Sequence, residues 1–288
     1  MMRCRGSSRC DLIRVDVSEA DAFCGFIASV ADSTRASASG VVVNTFDAIE
    51  VSELRKIEAE LSQPTFAVGP LHKLIPAAAA ADDTSLYASD PDCLAWLDAH
   101  PPRSVLYVSL GSVACVDRVV FDEMAWGLAG SGVSFLWVVR PGSIRDATDG
   151  TPPLPVGLDM SRGKVVTWAP QRDVLAHPAT GGFWTHCGWN STLESVCEGV
   201  PMLAQPCFAD QTVNARYMTH QWGVGLELGE VFDRARVAEA VRKLMDGEEC
   251  AAMRERANHL KIQANQWVTA TLAVDNLPRI RKEQERRA

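Results

Sequence analysis

One stretch near the middle of the chain, residues 168–211, constrains the fold more than any other part of the sequence. Two apolar runs typical of buried strands, 182–185 and 200–204, flank a segment with a helical pattern, 190–198. The turn between the first strand and the helix reads His-Cys-Gly-Trp-Asn-Ser. A strand that passes through such a turn into a helix presents backbone N–H groups to an anion, and the helix dipole adds positive charge there. The stretch therefore predicts a strand–turn–helix anion site.

Strand and helix patterns alternate on both sides of this stretch. The other predicted strands span 104–110, 135–139, 165–167 and 223–226, and the other predicted helices span 93–99, 121–129, 212–221, 234–245 and 251–272. Such alternation implies right-handed crossovers and a parallel sheet with helices on both faces. We therefore predict an α/β fold, a Rossmann-like doubly wound parallel sheet, with ligands at the carboxyl ends of its strands.

Composition argues against several classes of partner. The net charge of −8 argues against binding to nucleic acid, and no apolar run approaches the roughly 20 residues that a membrane helix needs. Nine scattered cysteines without a Cys-x-x-Cys pair are typical of reduced thiols, and the first residues lack the apolar run of a signal peptide. We therefore expect a monomer in the cytoplasm, without stable membrane insertion.

The first 75 residues predict a short α/β segment. Residues 20–31 and 48–61 have helical patterns, and residues 40–45, Gly-Val-Val-Val-Asn-Thr, predict a buried strand. So short a segment cannot supply a full doubly wound sheet, and we expect an incomplete domain with low burial and uncovered apolar surface. Residues 76–90 are rich in alanine, aspartate and serine without periodicity, and they predict a flexible linker.

The stretch 168–211 closely resembles the signature box of one enzyme family. It opens with Trp-Ala-Pro-Gln, closes with Asp-Gln and departs little from the family pattern in between. The family is the plant family 1 UDP-glycosyltransferases, which transfer sugars from UDP-sugars to small molecules. The resemblance implies that residues 1–75 are the remnant of an N-terminal acceptor-binding domain, that 76–90 are the linker, and that 91–288 are the C-terminal UDP-sugar-binding domain with a final helix.

The resemblance places the uridine at the start of the box. Trp168 follows a predicted strand, and its indole offers the flat surface that a uracil ring needs, although a core tryptophan is the alternative. The family places the residue at the position of Trp168 under the base, the backbone of Ala169 at the edge of the base, and Gln171 close to the nucleoside.

Ser191 and Glu194 can be interpreted in two ways. Ser-x-x-Glu at the start of a helix is a capping box, which is a structural device. In the family, the residues at the positions of Asn190 and Ser191 contact phosphate, and the residue at the position of Glu194 binds the ribose hydroxyls. The resemblance favours the binding roles.

His186 and Ser112 are implied to contact the diphosphate. His186 is either a satisfied core histidine or a hydrogen-bond donor that stabilises the UDP leaving group without a metal. Ser112 lies in a Gly-Ser turn after another predicted strand, which is a weak signal alone, and the family places a Ser or Thr there against the phosphates. The donor-binding residues implied by the family also include Trp189.

Asp210 and Gln211 are implied to bind the sugar. A carboxylate beside an amide can hold adjacent sugar hydroxyls with paired hydrogen bonds, and the alternative for Asp210 is a helix N-cap. In the family, glutamine at the last position accompanies glucose donors more often than galactose donors. The resemblance therefore favours UDP-glucose.

The Asp-Pro-Asp sequence at residues 90–92 also has two interpretations. Two aspartates one residue apart hold a divalent metal in other glycosyltransferases. The alternative is a helix N-cap with the proline in the first turn, ahead of the helix 93–99. The capping interpretation is favoured, because the family that this chain resembles uses no metal and no cofactor.

The resemblance implies an inverting transfer of glucose from UDP-glucose to a small hydroxylated acceptor. The catalytic His and Asp of the family belong to its N-terminal domain, and neither motif is found here, so we expect both upstream of residue 1 of a truncated chain. The first histidine, His72, stands where the family has no catalytic residue. The alternative is a non-catalytic nucleotide-sugar-binding module, or the donor half of an enzyme completed by another chain.

Overall fold

The computed structural model describes four ranges of the chain: 20–74, 87–145, 153–229 and 232–272. They group into two compact units, of which the larger holds the described residues from 87 to 258 and the smaller holds 20–74 and 259–272. Most of the predicted linker, residues 76–86, lies outside the described residues. Within the described ranges no helix combines the length and the hydropathy needed to cross a membrane.

The smaller unit contains a two-stranded parallel sheet. Its elements before residue 75 are α1 (Ala20–Ser37), β1 (Val41–Val43), α2 (Asp47–Leu61), β2 (Thr65–Ala67) and α3 (Leu71–Leu74). The strand predicted at residues 40–45 is confirmed as β1, but the prediction that it is buried is wrong, because Val42 in the middle of β1 is 67 % exposed. A run of valines forms a fully buried strand only where other elements cover both faces of the sheet.

Low burial in this unit was predicted and is confirmed for residues 20–74. Its buried hydrophobic side chains there are Phe46, Ile49 and Leu54, whereas Phe26 of α1 is 62 % exposed. Apolar surface is therefore uncovered on both α1 and β1.

The larger unit is built on a six-stranded parallel sheet. Its strands are β3 (Val105–Ser109), β4 (Ser134–Val138), β5 (Gly163–Val166), β6 (Thr180–Thr185), β7 (Met202–Ala204) and β8 (Gly225–Glu227). Its helices are α4 (Cys93–Asp98), α5 (Arg118–Ser131), α6 (Gln171–Ala176), α7 (Trp189–Glu198), α8 (Gln211–Arg216), α9 (Arg234–Asp246) and the start of α10 (Glu248–Leu272), with a π-helical segment (Tyr217–Gln221) after α8. The predicted doubly wound parallel sheet is confirmed.

The order of the strands fixes where a ligand can bind. Across the sheet the strands run β5-β4-β3-β6-β7-β8. The chain thus adds β4 and β5 on one side of β3, then crosses back and adds β6, β7 and β8 on the other side. In such sheets the loops after the two central strands diverge to opposite faces and leave a crevice at the carboxyl edge. The loops after β3 and β6 therefore border the expected binding site.

Apolar strands and two tightly packed helices form the core of the larger unit. Every residue of β3 and β6 is buried, as expected for central parallel strands covered on both faces. Gly127 of α5 faces Val237 of α9, where a Cβ atom on the glycine would overlap the valine side chain. The backbones of the two helices therefore approach each other closely at this point.

The Asp-Pro-Asp segment orders the chain ahead of α4. Asp92 occupies the N-cap position without a capping bond from its side chain, and Pro91 precedes the helix, so the prediction of a first-turn proline is wrong. The carboxylate that accepts a bond is that of Asp90, from the Asp92 N–H at 2.9 Å, and it also lies 3.5 Å from Lys164 Nζ. No group of three potential metal-ligating side chains occurs among the described residues.

Candidate functional site

The imidazole of His186 lies between the loops that follow β3 and β6. A Cβ atom added to Gly111 would lie 2.5 Å from His186 Cε1, and one added to Gly188 would overlap Nε2 of the same ring. Gly111 also has a φ of +74°, in the left-handed region that favours glycine. Glycine at both positions therefore makes room for the ring at the carboxyl edge of the sheet.

His186 is neutral at physiological pH. Burial lowers the pKa of its imidazole to about 4, against the opposing effect of the Asp210 carboxylate. A neutral imidazole carries one N–H donor and one acceptor nitrogen. Its Nδ1 is buried and makes no hydrogen bond within the described part of the chain. A buried polar atom without a partner is uncommon in proteins.

Helix α7 begins directly after Gly188, and this start changes the interpretation of Ser191 and Glu194. Gly188 is the N-cap residue, so no side chain caps the helix, and Ser191 is its third residue. A capping serine must precede the helix, and the capping-box interpretation is therefore wrong. Three residues apart, Ser191 and Glu194 lie on the same face of α7.

Gln171, the first residue of α6, joins this face of α7 to the sheet. Its Nε2 donates to Ser191 Oγ at 2.9 Å and to Glu194 Oε2 at 2.7 Å. Its Oε1 accepts a hydrogen bond from Tyr107 OH at 3.3 Å. Tyr107 belongs to β3 and is 1 % exposed, and burial raises the pKa of its phenol, so that it remains a donor. The resulting Gln171 network, Tyr107–Gln171–Ser191–Glu194, links three elements of the site.

Trp168 lies after β5, where it was predicted, and it is half-buried rather than part of the core. The ring of Tyr87 packs beside it, with 5.3 Å between the ring centroids and an angle of 46° between the planes. The Trp168 carbonyl accepts a hydrogen bond from the Asp90 N–H at 3.0 Å, and Ala169 is 4 % exposed. The indole is therefore held in place with part of its surface open to solvent.

Asp210 and Gln211 differ in how their side chains are held. Gln211 is 4 % exposed, and its Oε1 accepts from the N–H groups of Cys207 at 2.9 Å and Phe208 at 3.0 Å. Asp210 is exposed at the N-cap position of α8, where its side chain makes no capping bond. Its carboxylate accepts instead from Asn214 Nδ2 at 2.9 Å, and Nδ2 also donates to the carbonyl of Cys187, beside His186, at 2.9 Å.

The remaining predicted residues lie at the same edge of the sheet. Ser112 is exposed in the turn after β3, directly beyond Gly111. Trp189 and Asn190 open α7, the first half-buried and the second exposed, and the Trp189 ring lies 6.3 Å from that of Trp222. Hydrogen bonds join Gln171, Ser191 and Glu194 into one cluster, whereas Trp168 and Asp210 each bond to other partners.

Three residues at the site were not predicted from the sequence: Tyr107, Asn214 and Arg140. Tyr107 lies in an apolar run and has the pattern of a core side chain. Asn214 lies within a helical pattern, one turn after Asp210. Arg140 is 7 % exposed and donates to the carbonyl of Gly111 at 3.1 Å. Its one signal in the sequence is a charged residue at the end of a strongly apolar strand.

Comparison with known proteins gives consistent matches. Residues 22–260 match the family model described as UDP-glucoronosyl and UDP-glucosyl transferase. DIMBOA UDP-glucosyltransferase BX8 of Zea mays is 47 % identical over 270 residues, which are 92 % of this chain and 58 % of the maize protein. The chain thus spans about half the length of the curated relatives it matches.

Two solved structures with the same fold contain UDP or a UDP-sugar analogue. The crystal structure of Os79 from O. sativa in complex with UDP matches with a TM-score of 0.74 and 34 % identity, over 86 % of this chain and 55 % of Os79. Phytolacca americana UGT2, complexed with UDP-2fluoro-glucose and pterostilbene, matches with a TM-score of 0.71 and 35 % identity, over 87 % of this chain and 54 % of UGT2.

Proposed function

The chain belongs to the family of UDP-glucoronosyl and UDP-glucosyl transferases, and we propose that its residues 91–288 bind UDP-glucose as the donor of an inverting transfer to a small hydroxylated acceptor. Residues 1–75 belong, in this proposal, to the acceptor-binding domain. The relatives crystallised with UDP and with UDP-2fluoro-glucose support the choice of donor. We also propose that the protein acts as a monomer in the cytoplasm, without a metal or a cofactor.

The observation that carries the proposal is the pair of hydrogen bonds from Gln171 to Ser191 and Glu194. These bonds join the segment that follows Trp168 to the face of α7 that holds a hydroxyl and a carboxylate. A uridine stacked on Trp168, with Ala169 at the edge of its base, then has its ribose beside Glu194. Carboxylate oxygens accept hydrogen bonds from vicinal hydroxyls, as this role requires.

The diphosphate is proposed to bind where α7 begins. Backbone N–H groups and the helix dipole favour an anion there, and Asn190 and Ser191 supply side-chain donors. His186, whose imidazole is neutral, supplies an N–H, and Ser112 supplies a hydroxyl from the adjacent loop. Such fixed donors stabilise the charge that grows on the UDP leaving group.

The sugar is proposed to bind Asp210 and Gln211, with Trp189 nearby at the start of α7. Because Oε1 of Gln211 already accepts two backbone hydrogen bonds, its amide nitrogen is the group left to face a sugar hydroxyl. The carboxylate of Asp210 can accept a second hydroxyl while it remains bonded to Asn214. We propose glucose as the sugar.

The base for the acceptor is proposed to lie outside this site. A general base works best when its pKa is near the working pH, and a pKa of about 4 makes His186 a weak base at neutral pH. A second candidate function follows, the donor half of an enzyme completed by another chain. The exposed apolar side chains of Phe26 and Val42, 62 % and 67 % exposed, favour it, because a partner could cover them.

Calorimetry with UDP tests the donor site on the 288-residue chain. We expect Trp168→Ala to weaken UDP binding by about 1–3 kcal/mol, the usual contribution of stacking a base on an aromatic ring. Trp126→Ala is the matched control, since Trp126 is a half-buried tryptophan of α5 that packs against Arg234. No UDP binding by the wild-type chain, or equal losses in both variants, would refute the proposed donor site.

An assay of glucose transfer separates binding from turnover. General-base assistance is worth about 10²- to 10⁴-fold, so we expect this chain alone to bind UDP-glucose yet transfer glucose to a small phenol at background rate. Restored transfer on addition of the N-terminal half of a relative would favour the second candidate. Efficient turnover by the chain alone would place the base within it, at His72 or His186, and would contradict our division of roles.

A further inference from the structure

Arg140 lies after β4 with its guanidinium turned inward, and it is 7 % exposed. Each of its three nitrogens donates to a backbone carbonyl: Nε to Gly111 at 3.1 Å, Nη1 to Pro141 at 3.2 Å, and Nη2 to Ala114. Two of these carbonyls belong to the β3–α5 loop, residues 110–117. The side chain of Arg140 therefore holds this loop in shape through two hydrogen bonds to its carbonyls.

The positive charge of Arg140 is not neutralised by a carboxylate among the residues that the structure describes. Arg140 borders a small cavity whose other lining side chains are largely apolar, including those of Val116, Phe121 and Trp137. A buried charge that is not paired with an opposite charge is costly, and carbonyl dipoles offset only part of that cost. An arginine in this setting is expected to have an anionic partner that the described residues do not supply.

The location of the charge indicates what that anion is. Arg140 holds the carbonyl of Gly111, and Gly111 lies against the ring of His186, in the loop that carries Ser112. Burial is the main cause of the lowered pKa of His186, and the nearby charge of Arg140 lowers it further. The field of the guanidinium therefore reaches the place where we propose the diphosphate to bind.

We infer that Arg140 is a positioning residue of the diphosphate subsite, which fixes the β3–α5 loop and supplies a buried positive charge behind it. The inference rests on the proposed function, since it assumes that UDP binds here. Because the surroundings of Arg140 exclude water, its charge acts on the phosphates with less screening than a surface lysine would provide. Arg140 should therefore favour UDP over uridine, which presents the same base and ribose without phosphates.

The test compares UDP with uridine by calorimetry in Arg140→Gln and Arg140→Lys. We expect Arg140→Gln to lower the affinity for UDP by about tenfold or more and the affinity for uridine by less than about twofold, because only UDP carries the charge. Arg140→Lys keeps the charge and should recover most of the preference for UDP. Arg145→Gln is the matched control, since the side chain of Arg145 is 63 % exposed.

Two results would overturn the inference while leaving the donor site in place. One is that the wild-type chain binds UDP and Arg140→Gln has the same ratio of UDP affinity to uridine affinity as the wild type. The other comes from a salt titration of the wild-type chain, which can be done even if Arg140→Gln fails to fold. A buried cation is screened little, so the ratio should change by less than about threefold between about 50 mM and 500 mM NaCl. Collapse of the ratio would mean that exposed cations hold the diphosphate, whereas no binding of UDP at all would refute the proposed function itself.

Discussion

Removal of the Glu194 carboxylate gives the sharpest test of how the nucleoside is held. Its Oε2 already accepts a hydrogen bond from Gln171 at 2.7 Å. A carboxylate offers about four lone-pair positions on two oxygens, so the amide of Gln171 does not exhaust it. The 2′- and 3′-hydroxyls of a ribose can therefore bind to Glu194 without breaking the Gln171 network.

The magnitude follows from the charge and the exposure of the group. A hydrogen bond to a charged group contributes about 1.5–3 kcal/mol, and the half-buried position of Glu194 favours the lower end. Loss of the 2′-hydroxyl should therefore weaken binding to the wild-type chain by about 1.5 kcal/mol, which is about tenfold. Glu194→Ala removes the bonds to both hydroxyls and should cost about 3 kcal/mol.

Calorimetry with UDP and 2′-deoxy-UDP, on the wild-type chain and on Glu194→Ala, completes a double-mutant cycle. In the variant the two ligands should differ by less than about twofold, because the partner of the missing hydroxyl is absent. Glu198→Ala, which removes another carboxylate from the same helix, should keep the tenfold difference. A tenfold difference that persists in Glu194→Ala would assign the ribose to another residue and refute the reasoning.

Three further predictions concern the surroundings of the same site. Gly188→Ala should abolish UDP binding measured by calorimetry, because its Cβ would overlap the His186 ring, whereas Gly130→Ala, where a Cβ meets nothing within 4 Å, should leave the affinity unchanged. Tyr107→Phe should lower the free energy of unfolding, measured with urea, by about 0.5–1.5 kcal/mol through loss of its bond to Gln171, and unchanged stability would contradict that bond. The pKa of His186 is about 4 in the folded chain and about 6.5 in the unfolded chain, so the unfolded state binds more protons in between and stability should fall as the pH falls from 6.5 to 4. His186→Asn should show a shallower fall in urea unfolding over that range, and an equal slope would mean that His186 is not buried as neutral imidazole.

Much of the fold could be predicted because its signals are local. The continuous apolar runs that became β3, β4 and β6 are what a parallel strand needs when helices cover both of its faces. The strand–turn–helix sequence around His186 contains Gly188, and in the structure this glycine leaves space for the His186 ring.

Packing decided one wrong prediction, and a single residue of register decided between two open interpretations. The valines of β1 have the composition of a buried strand, but composition does not reveal that Val42 lacks a neighbour on one face. The capping-box interpretation depended on where α7 begins. With Gly188 as the N-cap, Ser191 moves into the helix, and its hydroxyl becomes available to Gln171.

The hydrogen-bond network of the site could not be predicted at all, because its members are distant in sequence. Tyr107 and Gln171 are 64 residues apart, and only the order of the strands brings β3 next to the segment that follows β5. In the sequence, Tyr107 has the pattern of a core residue and Arg140 that of a surface charge. Their polar atoms acquire a role only through the backbone and side chains that the fold places beside them.

The arrangement of these groups explains why donor binding and transfer should be separable properties. Every residue proposed to contact UDP-glucose, from Ser112 to Gln211, belongs to the larger compact unit. Each is held by a strand end, a helix start or the Gln171 network, and none of these depends on β1 or α1. Because Gln171, Gln211 and Arg140 already make their hydrogen bonds within the chain, little ordering cost should remain to be met on binding. We therefore expect the unit to bind its donor without β1 or α1, whereas turnover also requires a base whose pKa suits neutral pH, and the lowered pKa of His186 makes it unsuited to that role.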